Sequence, residues 1–276
     1  MFAGLKVYTR IAALKPFLRG CIFALITSGL LIGASDRIDA AQVLVDFGAP
    51  GTATTTDAIL RTWNNVNTTN DLTGSPFTLQ NIANVDSGYR LSISNPAGVT
   101  NPIGFNGENS NGTTTPSGTA AARNYPATAT QDSLFGNTAT FNGNIVQAVR
   151  MTLSNLNPNE LYSLAFFASR MSAGGDNRQA EYFITGGNLS TSIVLNASEN
   201  TGNITELTGI APNGSNQIII DIDRGPLNNN GSGFFYLGVM EINSVAIPEP
   251  STLVFALSSV LGVIGLAYRQ RRQLGS

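Results

Sequence analysis

Between Gln42 and Ser244 the chain is a succession of short apolar runs broken by Gly, Asn, Pro and Ser. Gln42–Phe47 alternates, with Val43, Val45 and Phe47 on one face, the period of a half-buried strand. Tyr89–Asn95 sets Leu91 and Ile93 against Arg90, Ser92 and Ser94, and Gln147–Leu153 sets Val149, Met151 and Leu153 against Arg150 and Thr152. Further strands are predicted at Leu161–Ala168, Ala180–Thr185, Ser192–Asn196, Ile204–Ile210, Gln217–Asp223 and Phe234–Ile242. No stretch of this body carries the 3.6-residue period of an amphipathic helix. Regularly spaced strands with turn signals predict one all-β domain over residues 41–246, an antiparallel sandwich of jelly-roll type. Residues 106–137 break the pattern with Asn-Gly-Thr-Thr-Thr-Pro-Ser-Gly and Ala-Ala-Ala-Arg-Asn, and read as a long low-complexity loop that is either mobile or holds a short helix.

The two ends follow a different pattern. Lys6, Arg10, Lys15 and Arg19 precede an apolar run from Cys21 to Gly33, and Ile38 and Ala40 suit the −3 and −1 positions of a cleavage site. Residues 1–40 thus read as a signal peptide, an N-terminal signal helix removed by signal peptidase to leave Ala41 first. At the other end Pro248-Glu249-Pro250 precedes the apolar run Leu253–Tyr268, which closes on Arg269, Arg271 and Arg272. Sixteen helical residues reach about 24 Å, close to the ~30 Å hydrocarbon core once snorkelling arginines extend them. A C-terminal transmembrane helix with the arginines in the cytoplasm and the body outside is expected. The two prolines keep Glu249 in an extended segment.

This tail, residues 247–273, resembles the PEP-CTERM sorting domain, whose hallmark is Pro-Glu-Pro, an apolar helix and a basic end. The resemblance implies a Gram-negative bacterium and an exported protein. Its precursor is anchored in the inner membrane and recognised through Pro248, Glu249 and Pro250 by exosortase. It then passes to the cell surface or extracellular matrix.

Charge and composition narrow the chemistry of the body. The 276-residue chain has no histidine, its one cysteine is Cys21, and its lysines are Lys6 and Lys15. From Gln42 to Pro248 seven arginines face fourteen acids, a formal charge of −7, which argues against nucleic-acid binding. Without imidazole, thiol or amine the body cannot build Ser-His-Asp or Cys-His catalysis, a lysine Schiff base, or a zinc site on His or Cys. A non-enzymatic body is expected; any hydrolysis would rest on Asp and Glu.

The order of elements in the body is similar to bacterial galactose-binding-like jelly rolls attached to sorting tails. The segments that carry this resemblance are Leu44-Val45-Asp46-Phe47-Gly48, Thr62-Trp63-Asn64-Asn65-Val66, the run Leu161–Arg170 and the closing Phe235–Ile242. Such a fold hosts sugar binding, structural roles and occasional catalysis, so function must come from a site.

Four constellations are candidates. Trp63, beside Arg61, Asn64 and Asn65, is either a core indole or a stacking face for a sugar, in this case the exopolysaccharide around the cell. Arg170, Asp176, Asn177, Arg178, Glu181 and Tyr182 bracket a Gly174-Gly175 loop. They form either a solvated turn with local ion pairs or a binding rim. Asp221 and Asp223 share one strand face about 6.6 Å apart, the wet side of a strand or a carboxylate pair for glycoside hydrolysis. Asp176 and Glu181 form a second such pair. Asp46 and Glu241, in the first and last strands, offer oxygen ligands to a structural calcium; no other cofactor is implied.

Overall fold

The computed structural model describes residues 41–247 except 69–71, 73, 74 and 101. The signal segment, 1–40, and the sorting residues Pro248, Glu249, Pro250, Arg269, Arg271 and Arg272 lie outside the described residues. Among the described residues no helix is long and apolar enough to cross a membrane.

The strands begin with β1 (Gln42–Phe47), β2 (Asn64–Val66), β3 (Phe77–Gln80), β4 (Asp86–Ser94) and β5 (Gly107–Asn109). There follow β6 (Ser133–Phe141), β7 (Asn144–Val146), β8 (Ala148–Ser154), β9 (Glu160–Phe167) and β10 (Gln179–Thr185). The last five are β11 (Ser190–Asn196), β12 (Thr205–Ile210), β13 (Ile218–Arg224), β14 (Phe234–Leu237) and β15 (Val239–Ala246). They form a five-stranded sheet, β12-β9-β15-β1-β2, and a six-stranded sheet, β11-β10-β13-β8-β4-β3. A smaller sheet joins β14, β6 and β5, with β7 paired to β6.

Alternation fixes which face each strand buries. Val43, Val45 and Phe47 of β1 meet Tyr162, Leu164 and Phe166 of β9 and Met240 and Ile242 of β15 in the main core. From the six-stranded sheet Leu91, Met151, Tyr182, Ile220 and Ile222 face them. Phe166 and Tyr182 stack with ring centroids 4.4 Å apart and planes 10° apart, joining the two sheets. Fully burying such a side chain contributes ~1.5–3 kcal/mol, so the two apolar faces account for the sandwich.

Two expectations are corrected and a third is met in part. Pairing is not wholly antiparallel, because β2 runs parallel to β1, with Asp46 opposite Asn65. The single closing strand expected over Phe234–Ile242 is divided at Gly238, where β14 stays in the small sheet and β15 enters the five-stranded one. Residues 106–137, read as a long loop, do hold short helix, one of the two expectations for them, and strand besides. They hold β5, two short helices at Gly118–Ala122 and Ala127–Thr130, and the start of β6. Those helices cover the outer face of the five-stranded sheet, where Ala120, Tyr125 and Ala129 pack on Leu44, Trp63, Phe167 and Val239. Small alanines allow this close packing, and the same smallness hides it from a hydropathy pattern.

Candidate functional site

The outer face of the small sheet is the floor of a cleft of about 490 Å³. Phe135 and Tyr236 are register partners across β6 and β14, and Phe234 follows on the same face. Their inward neighbours Leu134, Phe235 and Leu237 lie in the main core, which fixes the outward set. Phe141 comes in at the end of β6, held by the hairpin turn Asn142-Gly143, where both residues have positive φ, 50° and 80°. Phe141 and Phe234 meet edge to face at 4.8 Å, and Phe135 and Phe234 do so at 5.5 Å. Phe135, Phe141 and Phe234 are only half-buried, so apolar ring surface reaches the cleft.

Two arginines form one wall. Arg178 lies 5.4 Å from the centroid of Phe234 and donates from Nη1 to the Tyr236 hydroxyl at 2.7 Å. Its Nη2 sits 3.5 Å from Asp176, whose carboxylate also accepts from Asn230 Nδ2 at 2.6 Å. The Nε of Arg178 is buried without a hydrogen-bond acceptor. Arg170 lines the same cleft and donates to the carbonyl of Met171. Burial pushes the Tyr236 phenol up while the two guanidiniums oppose the shift, so the hydroxyl is neutral and polarised by cations. Glu108, Asn109, Ser110, Asn111 and Asn142 also line the cleft. Asn109 is steadied by Ser133 and Asn111 by the Met171 carbonyl, so amides are presented on fixed backbone.

The structure thus brings Arg170, Arg178 and, through Arg178, Asp176 to one place. It does not bring Tyr182 there. Tyr182 is fully buried in the main core, stacked on Phe166, and its hydroxyl donates to the Tyr236 carbonyl at 2.7 Å. Trp63 is also withdrawn. It is 4% exposed, edge-on to Tyr125 at 5.7 Å, and its Nε1 donates to Asp57 at 3.2 Å. The indole has no free face for a sugar, and its neighbours are occupied too. Arg61 pairs with Asp57 at 2.6 Å, Asn64 joins Leu44 to Gln80, and Asn65 donates to the Thr54 carbonyl.

The Asp221 and Asp223 pair is not among the residues lining the cleft, and of the second pair Asp176 meets Arg178 in its wall while Glu181 lies opposite Asp223. Asp221 is gripped by Arg150, which donates from Nε and Nη2 at 2.7 Å each, and Asp223 lies opposite Glu181 on the sheet surface. Among the described residues that line the cleft, Glu108 is the only carboxylate, whereas glycoside hydrolysis uses two.

β1 and β15 are neighbours, so Asp46 and Glu241 lie on the same sheet. Glu241 is already satisfied. Its Oε1 accepts from Gln42 at 2.7 Å and Asn243 at 3.0 Å, and its Oε2 from Tyr125 at 2.8 Å and Arg123 at 3.2 Å. Burial alone would push its carboxyl up, but these donors and the Arg123 charge outweigh that and hold it below the usual glutamate range. Such a carboxylate has no lone pair left for calcium. Asp46 is different: burial and the charge of Asp132 push its carboxyl up to about 7. Among the described residues no three His, Cys, Asp or Glu side chains cluster as a metal-binding group.

The ring cluster escaped the sequence reading because its members come from β6 and β14, far apart in the chain. The one local signal was Asn142-Gly143, a hairpin dipeptide that fixes Phe141. Compared with models of known protein families and with curated proteins, the chain matches none.

Proposed function

We propose that this is an exported, exosortase-sorted protein of the cell surface or extracellular matrix. Its non-catalytic body, a β-sandwich of jelly-roll type, binds polysaccharide in the cleft between β6, β14 and the Arg170–Arg178 loop. The observation that carries this reading is the combination of half-buried rings with two guanidiniums and an amide rim. A sugar ring has an apolar C–H face that stacks on aromatics and an equator of hydroxyls that planar guanidinium and amide groups can bond. A single carboxylate on the rim supports recognition rather than hydrolysis. The sorting half of the reading rests on Pro248-Glu249-Pro250, the apolar run and the terminal arginines.

Affinity electrophoresis of the protein in gels containing the producer's own polysaccharide tests the binding half. Retardation of the wild type, abolished in Phe234→Ala and Arg178→Ala, is the expected result. Unretarded wild type would leave a purely structural matrix protein. Intact-mass measurement on protein from the native cell tests the sorting half, which requires loss of residues 1–40 and of the segment after Pro250.

A further inference from the structure

We propose that Asp46, Asp132 and Asn65 bind one calcium ion where β1 runs into the turn at Pro50–Thr52. The inference is independent of the polysaccharide cleft.

Three acceptor oxygens in this corner are buried and lack any hydrogen-bond donor: Asp46 Oδ1, Asp132 Oδ1 and Asn65 Oδ1. Asp46 and Asp132 are only 2% and 1% exposed. A buried carboxylate oxygen without a donor or cation is costly, and two in one corner repel each other as well. The neighbouring oxygens are, by contrast, fully engaged. Asp46 Oδ2 accepts from the Thr54 amide at 3.1 Å, and Asp132 Oδ2 accepts from the Ala49 amide at 2.7 Å and from the Thr52 hydroxyl. The amide of Asn65 is oriented by its own bond, since Nδ2 donates to the Thr54 carbonyl at 2.6 Å and so turns Oδ1 away from Thr54. Each of the three side chains thus has one polar atom engaged and one oxygen left without a hydrogen-bond donor among the described residues.

The geometry gathers them. Asp46 and Asn65 are register partners on parallel β1 and β2, and their side chains share a face. They line a void of about 10 Å³ together with Gly48, Ala49 and Pro50. That is room for about one water-sized particle. Asp132 reaches the corner across Gly48, where a Cβ would come within 2.3–2.4 Å of its carboxyl carbon and both oxygens. Only glycine leaves the Asp132 carboxylate this place. Pro50 and Ala53, which also line the void, are exposed and give a path to solvent.

An all-oxygen set of two carboxylates and a neutral amide suits a hard cation, and calcium takes the remainder of its six to eight oxygens from carbonyls and water without strict geometry. Magnesium demands a near-ideal octahedron and holds its water tightly, so it fits such a site less well. The groups that act on Asp46 are the charge of Asp132 and the donors of Thr54; no cation is among them.

The full chain, purified in mild detergent and stripped with EDTA, provides the test. Calcium chloride at millimolar concentration is expected to raise the melting temperature by roughly 4 °C or more, magnesium chloride by clearly less. Titration calorimetry is expected to give one calcium per chain. Asp46→Asn and Asp132→Asn each relieve the repulsion, so in EDTA they melt at or above wild type while losing the calcium response. Asn65→Asp adds a third charge, so it melts lower in EDTA and gains a larger calcium response, which a folding defect would not produce. Glu241→Gln keeps the response. A wild type indifferent to calcium, or a response that survives in the Asp46→Asn/Asp132→Asn double variant, overturns the proposal.

Discussion

The guanidinium of Arg178 lies over the Phe234 ring, 5.4 Å from its centroid, while donating to Tyr236 on the same strand. The contact makes Arg178 a fixed part of the cleft wall rather than a mobile surface charge. Arg178→Lys keeps the charge but loses the planar fork and the stacking. It is expected to weaken polysaccharide binding about tenfold, equivalent to about 1.4 kcal/mol, with little loss of stability. Titration of the gel's polysaccharide concentration measures this directly.

Trp63 provides the opposite control. Its indole is packed on Tyr125 beneath the two short helices and bonded to Asp57. Trp63→Phe should leave retardation in the polysaccharide gel unchanged. It should lower stability by ~1–3 kcal/mol in urea unfolding, because Asp57 loses a donor and the pocket loses volume. A variant that kept stability and lost sugar affinity would contradict the cleft assignment.

Across the main core Phe166 and Tyr182 carry the contact between the large sheets. Phe166→Ala is expected to cost ~3–5 kcal/mol. Tyr182→Phe, which leaves the Tyr236 carbonyl without its hydroxyl donor, is expected to cost about 1 kcal/mol. Because that carbonyl belongs to the cleft strand, Tyr182→Phe tests whether the core steadies the floor of the site.

Stability should also depend on pH through Glu241. Its folded carboxyl is held below its ordinary value by Asn243, Tyr125, Gln42 and Arg123, against the effect of burial. A depressed acid binds fewer protons in the folded state than in the unfolded one. Its contribution is therefore complete above the unfolded value of about 4.3 and is lost as the pH falls through the lower folded value. Asp46, whose carboxyl is raised to about 7, acts in the opposite sense over the same range, so the difference is the test. The urea midpoint of the wild type should exceed that of Glu241→Gln at pH 6, and the gap should close towards pH 3.

Much of the fold was legible in alternation. β1 runs over the residues its pattern marks, and the core faces of β4, β8 and β13 follow from Leu91, Met151 and Ile220, whereas Tyr182, expected in a binding rim beside charged neighbours, is a core residue of β10. What was hidden has physical causes. β2, β5 and β7 are three residues long, too short to display a period of two. β6 places Phe135 outward between Leu134 and Gly136, so apolar residues occur on both faces and alternation fails. The Arg170–Arg178 loop was recognisable from its charges, but Phe135, Phe141 and Phe234 converge only through sheet pairing. Asp132 was invisible as a partner of Asp46 because they meet across Gly48, a contact that no local spacing announces.

The pairing of β1 with β15 also determines how the body resists force. Gln42 lies opposite Asn243, so the chain enters and leaves the described body at the same end of this antiparallel ladder. A pull applied at Ala41 and Ile247 in opposite directions would load its hydrogen bonds one after another, in unzipping rather than shear. Tension on Ile247 alone would not peel the strands apart in this way, and the whole sandwich would hang by β15, flanked on both sides by β1 and β9. Removing residues 1–40 would therefore change the mechanical loading of the molecule without altering one contact in its core.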